Sequence, residues 1–160
     1  MVDIQTVSIA IASVSVVAGV VYYALQLRHQ NRIRQTDLVM RLYSQACSKE
    51  AMEAFLKVMN LEFENYKDFV EKYGSPLSEK PEQTAFFMQG LFYEGIGVLL
   101  HRKLVDIGIV NDLFPVDSIW GKVKPIVEGG REQFKWPALF EWFEYLYNEM
   151  KKREQQLAKT

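Results

Sequence analysis

The strongest pattern in the chain is an uncharged run over residues 6–27, made mostly of Val, Ala, Ser, Ile and Leu. A helix of 22 residues is about 33 Å long, close to the roughly 30 Å thickness of the hydrocarbon core of a bilayer. Tyr22 and Tyr23 stand near the end of the run, where aromatic side chains favour the membrane interface. The run therefore predicts a transmembrane anchor.

A cleaved signal peptide or a buried core helix would also contain a long apolar run. A signal peptide has a positive segment before the run and a small-residue cleavage site after it. Here the preceding MVDIQ has no Lys or Arg, and the following YYALQLRHQ offers no convincing site. A core helix that is apolar on every face is rare in a protein of this size. We therefore favour the anchor.

Basic residues after the run indicate its orientation. Arg28, Arg32 and Arg34 follow it at the expected membrane interface, and the five residues before it contain no Lys or Arg. Because positive flanks remain in the cytoplasm, we expect a single-pass protein of the cell membrane with its N-terminus outside and residues 28–160 inside. The lone Cys47 agrees with a reducing compartment.

Small residues form a stripe along the predicted anchor. The stripe consists of Ser8, Ala12, Ser15 and Gly19. Spacings of four, three and four place these residues on one side of a helix, where a second membrane helix can approach closely. Small residues are also simply common in membrane helices, and the sequence does not distinguish the two cases.

Beyond the anchor, apolar positions recur at helical spacing, and no stretch alternates convincingly with the period of a strand. We expect the first helix to continue through residues 28–47, and later helices near residues 49–61, 60–73, 82–103, 104–114, 117–123 and 138–157. Ser48 and Asp106 are the predicted N-caps of the second and fifth helices, and Asp117 or Ser118 that of the sixth. Gly129-Gly130 predicts a break. The fold class is therefore all-α: one N-terminal transmembrane helix continuing into a cytoplasmic multi-helix bundle.

Charge divides the chain further. Residues 28–47 carry a net charge of +3, residues 48–149 carry −6 and residues 150–160 carry +3. The predicted segments are an external N-terminus (1–5), the transmembrane helix (6–27), a basic juxtamembrane helix (28–47), the helical domain (48–150) and a basic tail (151–160). The tail either contacts anionic headgroups or complements a helix C-terminus, and we favour the second. The acidic domain argues against a nucleic acid partner.

Glu94 is the most unusual residue of the predicted domain, because it lies in the most apolar helix. A buried carboxylate requires a partner, for which Arg131 and Arg41 are candidates, and its pKa and function can then be altered. The alternatives are a structural ion pair or a solvent-facing edge. Gly90, Gly97 and, less clearly, Gly95 indicate that another helix packs closely on the same helix.

The chain offers few residues for catalysis or metal binding. His29 and His101 are its only histidines, and neither belongs to a ligand motif. One Cys cannot build a structural zinc site. Met52 and Met59 lie on an apolar stripe, which favours core packing over a soft-metal site. We predict that the protein is not an enzyme and has no catalytic residue, cofactor or metal.

Residues 93–120 resemble a widespread prokaryotic family of small, uncharacterised helical proteins (a domain of unknown function) with a single N-terminal anchor. The shared pattern is a Tyr/Phe-Glu-x-Ile/Leu-Gly helix, a short helix ending in an Asp-Leu-Phe-like turn, and a Trp. It is matched here by Tyr93, Glu94, Gly97, Leu99, Leu100, Leu104, Asp112, Phe114 and Trp120, and further along by Arg131 and the FEYL of residues 143–146. The resemblance covers most of residues 35–150. It implies packing motifs, with Glu94 and Arg131 as a structural pair, and no established activity.

Two functions are consistent with these observations. The first is a membrane-tethered helical interaction or scaffolding module at the cytoplasmic face, which holds a protein partner or itself as a homo-oligomer. Its candidate contact residues are Trp136, Phe140, Trp142 and Tyr147. The alternative is a membrane-anchored sensor that binds a small apolar ligand or lipid in a pocket between the helix of residues 86–100 and the C-terminal helix.

Overall fold

The computed structural model describes residues 3–158, apart from the side chains at positions 6, 7, 9 and 10. These residues form α-helices and no strand, which confirms the all-α prediction of a long apolar N-terminal helix followed by a helical bundle. The helices are α1 (Ile4–Ala46), α2 (Lys49–Met59), α3 (Tyr66–Tyr73), α4 (Pro81–His101), α5 (Ile107–Leu113), α6 (Val116–Phe134) and α7 (Glu141–Leu157). The outermost positions of the predicted N-terminus and tail, 1–2 and 159–160, lie outside the described residues.

The chain divides into two compact units, Met1–Asp37 and Leu38–Thr160. In the first unit, every side chain from position 11 to position 34 is exposed. Among the described residues one helix is long and apolar enough to cross a membrane, over Ile11–Ala46, and its apolar window is not buried. The hydroxyls of Ser8 and Ser15 donate to the carbonyl oxygens of Ile4 and Ile11, at 3.0 and 2.8 Å. These two hydroxyls are therefore satisfied within their own helix.

Aromatic side chains from α4, α6 and α7 pack against one another in the core of the second unit. Tyr93 stacks on Phe143 with 4.8 Å between ring centroids, and Trp120 meets the same ring edge-on at 4.9 Å. Phe86 and Ile96 of α4 are also fully buried. Since burying each such side chain contributes about 1.5–3 kcal/mol, these contacts stabilise the unit.

Two predicted helix caps are present. The Ser48 hydroxyl accepts a hydrogen bond from the Ala51 N–H at 3.2 Å, at the start of α2. The Asp106 carboxylate accepts from the N–H groups of Gly108 and Ile109, at the start of α5. Both side chains satisfy donors that the first turn of a helix leaves unpaired.

The predicted break at Gly129-Gly130 is wrong, because α6 continues through both glycines to Phe134. A Cβ built on Gly129 would lie 2.1 Å from Tyr66 Cγ, so this glycine allows α3 to pack directly on the α6 backbone. Pro125 also lies inside α6. Its missing N–H leaves the carbonyl of Gly121 without its helical partner, at a residue that is exposed. Packing and solvent access thus preserve the helix.

Three helix starts also differ from the sequence prediction. Asn65 caps α3 through the Asp68 N–H, so this helix begins only at Tyr66. The helix α6 begins at Val116, one residue before the first predicted cap. The helix α7 begins at Glu141 because Phe140 adopts a left-handed backbone conformation, with φ of 52°.

Candidate functional site

One face of α4 receives the start of α7, and we call Gly90, Glu94 and Gly97 the α7 seat. These positions share a face because they are spaced by four and three residues. A Cβ built on Gly90 would lie 2.3 Å from Phe140 Cζ, and one built on Gly97 would lie 2.0 Å from Trp142 O. Only hydrogen fits at both positions, so the predicted close approach of another helix is confirmed there. Gly95 has open space around it.

Glu94 lies at the centre of the α7 seat and caps α7 from outside. Its Oε2 accepts a hydrogen bond from the Phe143 N–H at 2.8 Å. Phe140, at the N-cap position of α7, has no side-chain acceptor of its own. Burial raises the pKa of Glu94, whereas the N–H groups of Phe143 and Trp142 act in the opposite direction. The carboxylate therefore supplies the acceptor that the first turn of α7 requires.

The predicted ion pair between Glu94 and Arg131 is replaced by two separate contacts. Arg131 Nη1 lies 2.6 Å from Glu144 Oε2, and its Nε donates to the Leu139 carbonyl at 2.9 Å. The Glu94 carboxylate binds the backbone of α7, and the guanidinium binds a side chain on the same helix. The charge of Arg131 still makes a small contribution that lowers the pKa of Glu94.

The aromatic residues predicted as contacts differ in exposure. Trp136 is 49% exposed, but Phe140 is buried against Phe86 and Phe87. Trp142 and Tyr147 are partly buried. Of this set only Trp136 is available at the surface as a large contact.

The residues predicted for the anchor all lie on α1. The stripe residues Ser8, Ala12, Ser15 and Gly19 are exposed, as are Tyr22, Tyr23, Arg28, Arg32 and Arg34. A Cβ at Gly19 would meet no atom within 4 Å. A second helix could therefore approach α1 closely at this position. The association face remains a prediction.

A cavity of about 510 Å³ opens on another face of α4. Its walls come from the end of α1, from α2, from α4 and from the end of α5, all within the second unit. The interface between α4 and α7, where the sequence placed a pocket, is instead filled by the α7 seat and the stacked Tyr93 and Phe143 rings. None of the described residues that line the cavity is charged.

The cavity contains two polar side chains from one turn of α4. Gln89 is 6% exposed, and its Nε2 donates to the Ala51 carbonyl at 3.0 Å. Tyr93 is 3% exposed, and burial raises the pKa of its hydroxyl, which therefore stays protonated at neutral pH. From the sequence, Gln89 was not named and Tyr93 was named only as part of the family pattern, although a Gln and a Tyr four positions apart in the most apolar helix were a visible signal of a shared polar site.

At the mouth of the cavity, Tyr43 and Cys47 stand one turn apart near the end of α1. A hydrogen bond with Cys47 raises the pKa of the Tyr43 hydroxyl. Both residues are exposed. Across the described part of the chain, no group of three or more His, Cys, Asp or Glu side chains is arranged to hold a metal ion.

The described residues thus form a helical bundle that follows a long apolar helix and contains a cavity with an uncharged lining. The chain matches the model of the family described as a domain of unknown function (DUF4760) over residues 13–150, and it belongs to this family. The resemblance to an uncharacterised family is thereby confirmed. No curated protein and no solved structure matches the chain.

Proposed function

We propose that this protein is a membrane-tethered helical interaction module, without catalytic activity, that presents its second unit at the cytoplasmic face. The observation that carries the proposal is the apolar surface of α1 over residues 11–27, where every side chain is exposed. Exposed Val, Leu and Tyr on this scale require a lipid or protein environment. The serine hydroxyls bonded within the helix agree with a bilayer, where no water is available to them.

The proposed orientation places the N-terminus outside the cell membrane, because the basic residues that follow the apolar run favour the cytoplasmic side. Cys47 tests this orientation because it is exposed and is the only cysteine. In intact cells of a bacterial host, a membrane-impermeant maleimide should label Cys47 only after permeabilisation. A matched control, Asp3→Cys in a Cys47→Ser background, should be labelled without permeabilisation. The reverse pattern would refute the orientation, and labelling of both sites in intact cells would refute the tether.

Apolar side chains at the mouth of the cavity supply a contact surface for a partner. Tyr43, Met52, Met88 and Leu91 all line the cavity, with exposures between 37% and 62%. Flexible methionines adapt well to a protein partner. Self-association through the small-residue stripe of α1 is the other form of the same proposal.

Native mass spectrometry of the full chain in nanodiscs tests self-association. If the stripe is the association face, wild-type protein should form oligomers and Gly19→Ile should be monomeric, because the larger side chain keeps a second helix away. Val20→Ile is a matched control that adds bulk to an adjacent position, and it should leave the oligomer intact. A monomeric wild type, or an oligomer that Gly19→Ile does not change, would refute the stripe.

A second candidate function is a membrane-anchored sensor for a small apolar ligand. The cavity favours it, because about 510 Å³ falls within the roughly 300–1,000 Å³ that is usual for small-molecule sites. The uncharged lining and a few convergent polar groups are also typical of such sites.

A further inference from the structure

The α4 wall of the cavity carries a side-chain amide and a hydroxyl on residues four positions apart, Gln89 and Tyr93. Gln89 Nε2 is used by the Ala51 carbonyl, which leaves Gln89 Oε1 as an acceptor on a side chain that is more than nine-tenths buried. Tyr93 stands one helical turn further along the same helix and also lines the cavity, and its hydroxyl is protonated.

We propose that this cavity binds a neutral amphiphile that consists of a single apolar chain and a hydroxyl head, the simplest being a long-chain primary alcohol. A hydroxyl both donates and accepts, so it donates to Gln89 Oε1 and accepts from the Tyr93 hydroxyl. The inference rests on the sensor function proposed above, and it adds the chemical class of the ligand.

The size of the cavity selects a single chain. A methylene group occupies roughly the volume of one water molecule in the liquid, about 30 Å³, so 510 Å³ holds at most about 17 such groups, and a chain of about 12 carbons with its hydroxyl fits. A lipid with two full-length acyl chains exceeds this volume. The side-chain environment fits an alkyl chain, because Phe55, Leu91, Phe92 and Phe114 supply much of the wall.

The absence of charge from the lining excludes an ionised head. A carboxylate inside this cavity would have no Lys or Arg beside it among the lining residues, and the desolvation of an unpaired carboxylate is strongly unfavourable. An ether oxygen accepts a hydrogen bond but donates none, so Gln89 Oε1 would remain unpaired. The expected order of affinity is therefore alcohol, then ether, then carboxylate.

Photolabelling of the full chain in nanodiscs tests this order. The probe is dodecan-1-ol with a mid-chain diazirine, and the competitors are dodecan-1-ol, 1-methoxydodecane and dodecanoate at a pH where the acid is ionised. Peptide mapping by mass spectrometry gives the label on residues 43–55 and 88–93 relative to the label on residues 11–27. This ratio corrects for partitioning of each compound into the bilayer.

We expect dodecan-1-ol to displace the cavity label, the methyl ether to be about fivefold weaker because one hydrogen bond is lost, and dodecanoate to be weaker than both. Gln89→Leu and Tyr93→Phe should each reduce the preference for the alcohol over the ether. Tyr145→Phe is the matched control, because Tyr145 is absent from the cavity wall, and it should leave the preference unchanged.

The remaining outcomes separate the ligand class from the sensor function. Equal competition by all three compounds would refute the hydroxyl head and leave a cavity that binds any apolar chain. A label confined to residues 11–27 would refute ligand binding altogether. Because the comparison of competitors uses wild-type protein, a poorly folded variant does not affect it.

Discussion

Gly97 and Gly95 lie two positions apart on α4, and we predict that alanine has opposite effects at the two sites. A Cβ at Gly95 meets no atom within 4 Å, whereas a Cβ at Gly97 would lie 2.0 Å from the Trp142 carbonyl oxygen. Alanine favours a helix over glycine by about 0.5–1 kcal/mol, mainly through the entropy of the unfolded chain. Gly95→Ala should therefore stabilise the protein.

The penalty at Gly97 follows from the geometry of the α7 seat. Trp142 O would have to move by about 1.4 Å to reach the 3.4 Å of ordinary contact. Overpacking of this kind destabilises by about 1–3 kcal/mol. The same movement would stretch the 2.8 Å hydrogen bond from the Phe143 N–H to Glu94 beyond useful length, and losing a bond to a charged group costs about 1.5–3 kcal/mol. After the gain in helix propensity, a net loss of about 1.5–5.5 kcal/mol remains.

Thermal unfolding of the full chain in mild detergent measures both effects, with Trp120 in the core as a fluorescence reporter. At about 4 °C per kcal/mol for a unit of this size, Gly95→Ala should raise Tm by about 3 °C and Gly97→Ala should lower it by about 6–22 °C. Equal Tm values for the two variants, or a higher Tm for Gly97→Ala, would mean that α7 is not seated on α4 as described.

Three further predictions concern the same unit. Burial raises the pKa of Glu94 above its ordinary 4.5, so protonation of Glu94 favours the folded state. This stabilisation is fully present below pH 4.5 and is lost as the pH rises through the pKa of the folded protein. As the pH rises from 4.5 through the folded pKa, the Tm of the wild type should therefore fall relative to that of Glu94→Gln. Parallel plots of Tm against pH for the two proteins would contradict the raised pKa. Ser48→Ala should lower stability by about 1 kcal/mol through the loss of the α2 cap, and an unchanged midpoint in a denaturant titration would contradict the role of this cap. Gly129→Ala should destabilise by about 1–3 kcal/mol against Tyr66, whereas Gly121→Ala should not. Equal effects at the two glycines would argue against direct contact between α3 and α6.

The features that the sequence predicted well are local. Ser48 and Asp106 act on N–H groups two or three positions away, so the residue type and its place before an apolar run were sufficient. The long apolar α1 and the helical periodicity of α2, α4 and α7 likewise depend on neighbours along the chain. Gly90 and Gly97 were also informative, because glycine in an apolar helix indicates close approach by another element.

The features that the sequence predicted poorly depend on distant partners. Gly129-Gly130 has the composition of a break, but Tyr66 packs against it and α6 continues. Glu94 was paired with Arg131 by charge, whereas its partner is a backbone N–H, which no residue type reveals. The cavity lies beside α1 and α2 because α7 occupies the opposite face of α4, and the choice between those two faces is made by packing.

The capping of α7 by Glu94 also constrains how the chain matures during synthesis. The acceptor and the donor are 49 positions apart, so α4 leaves the ribosome well before the segment that covers its glycines. Until about residue 150 has emerged, α7 is not available to pack on α4, and the apolar face of α4 stays exposed. This face can then associate with other nascent chains or with chaperones. A stop codon before Phe143 would remove the cover permanently, and quality control rather than partial activity is the expected fate of such a product.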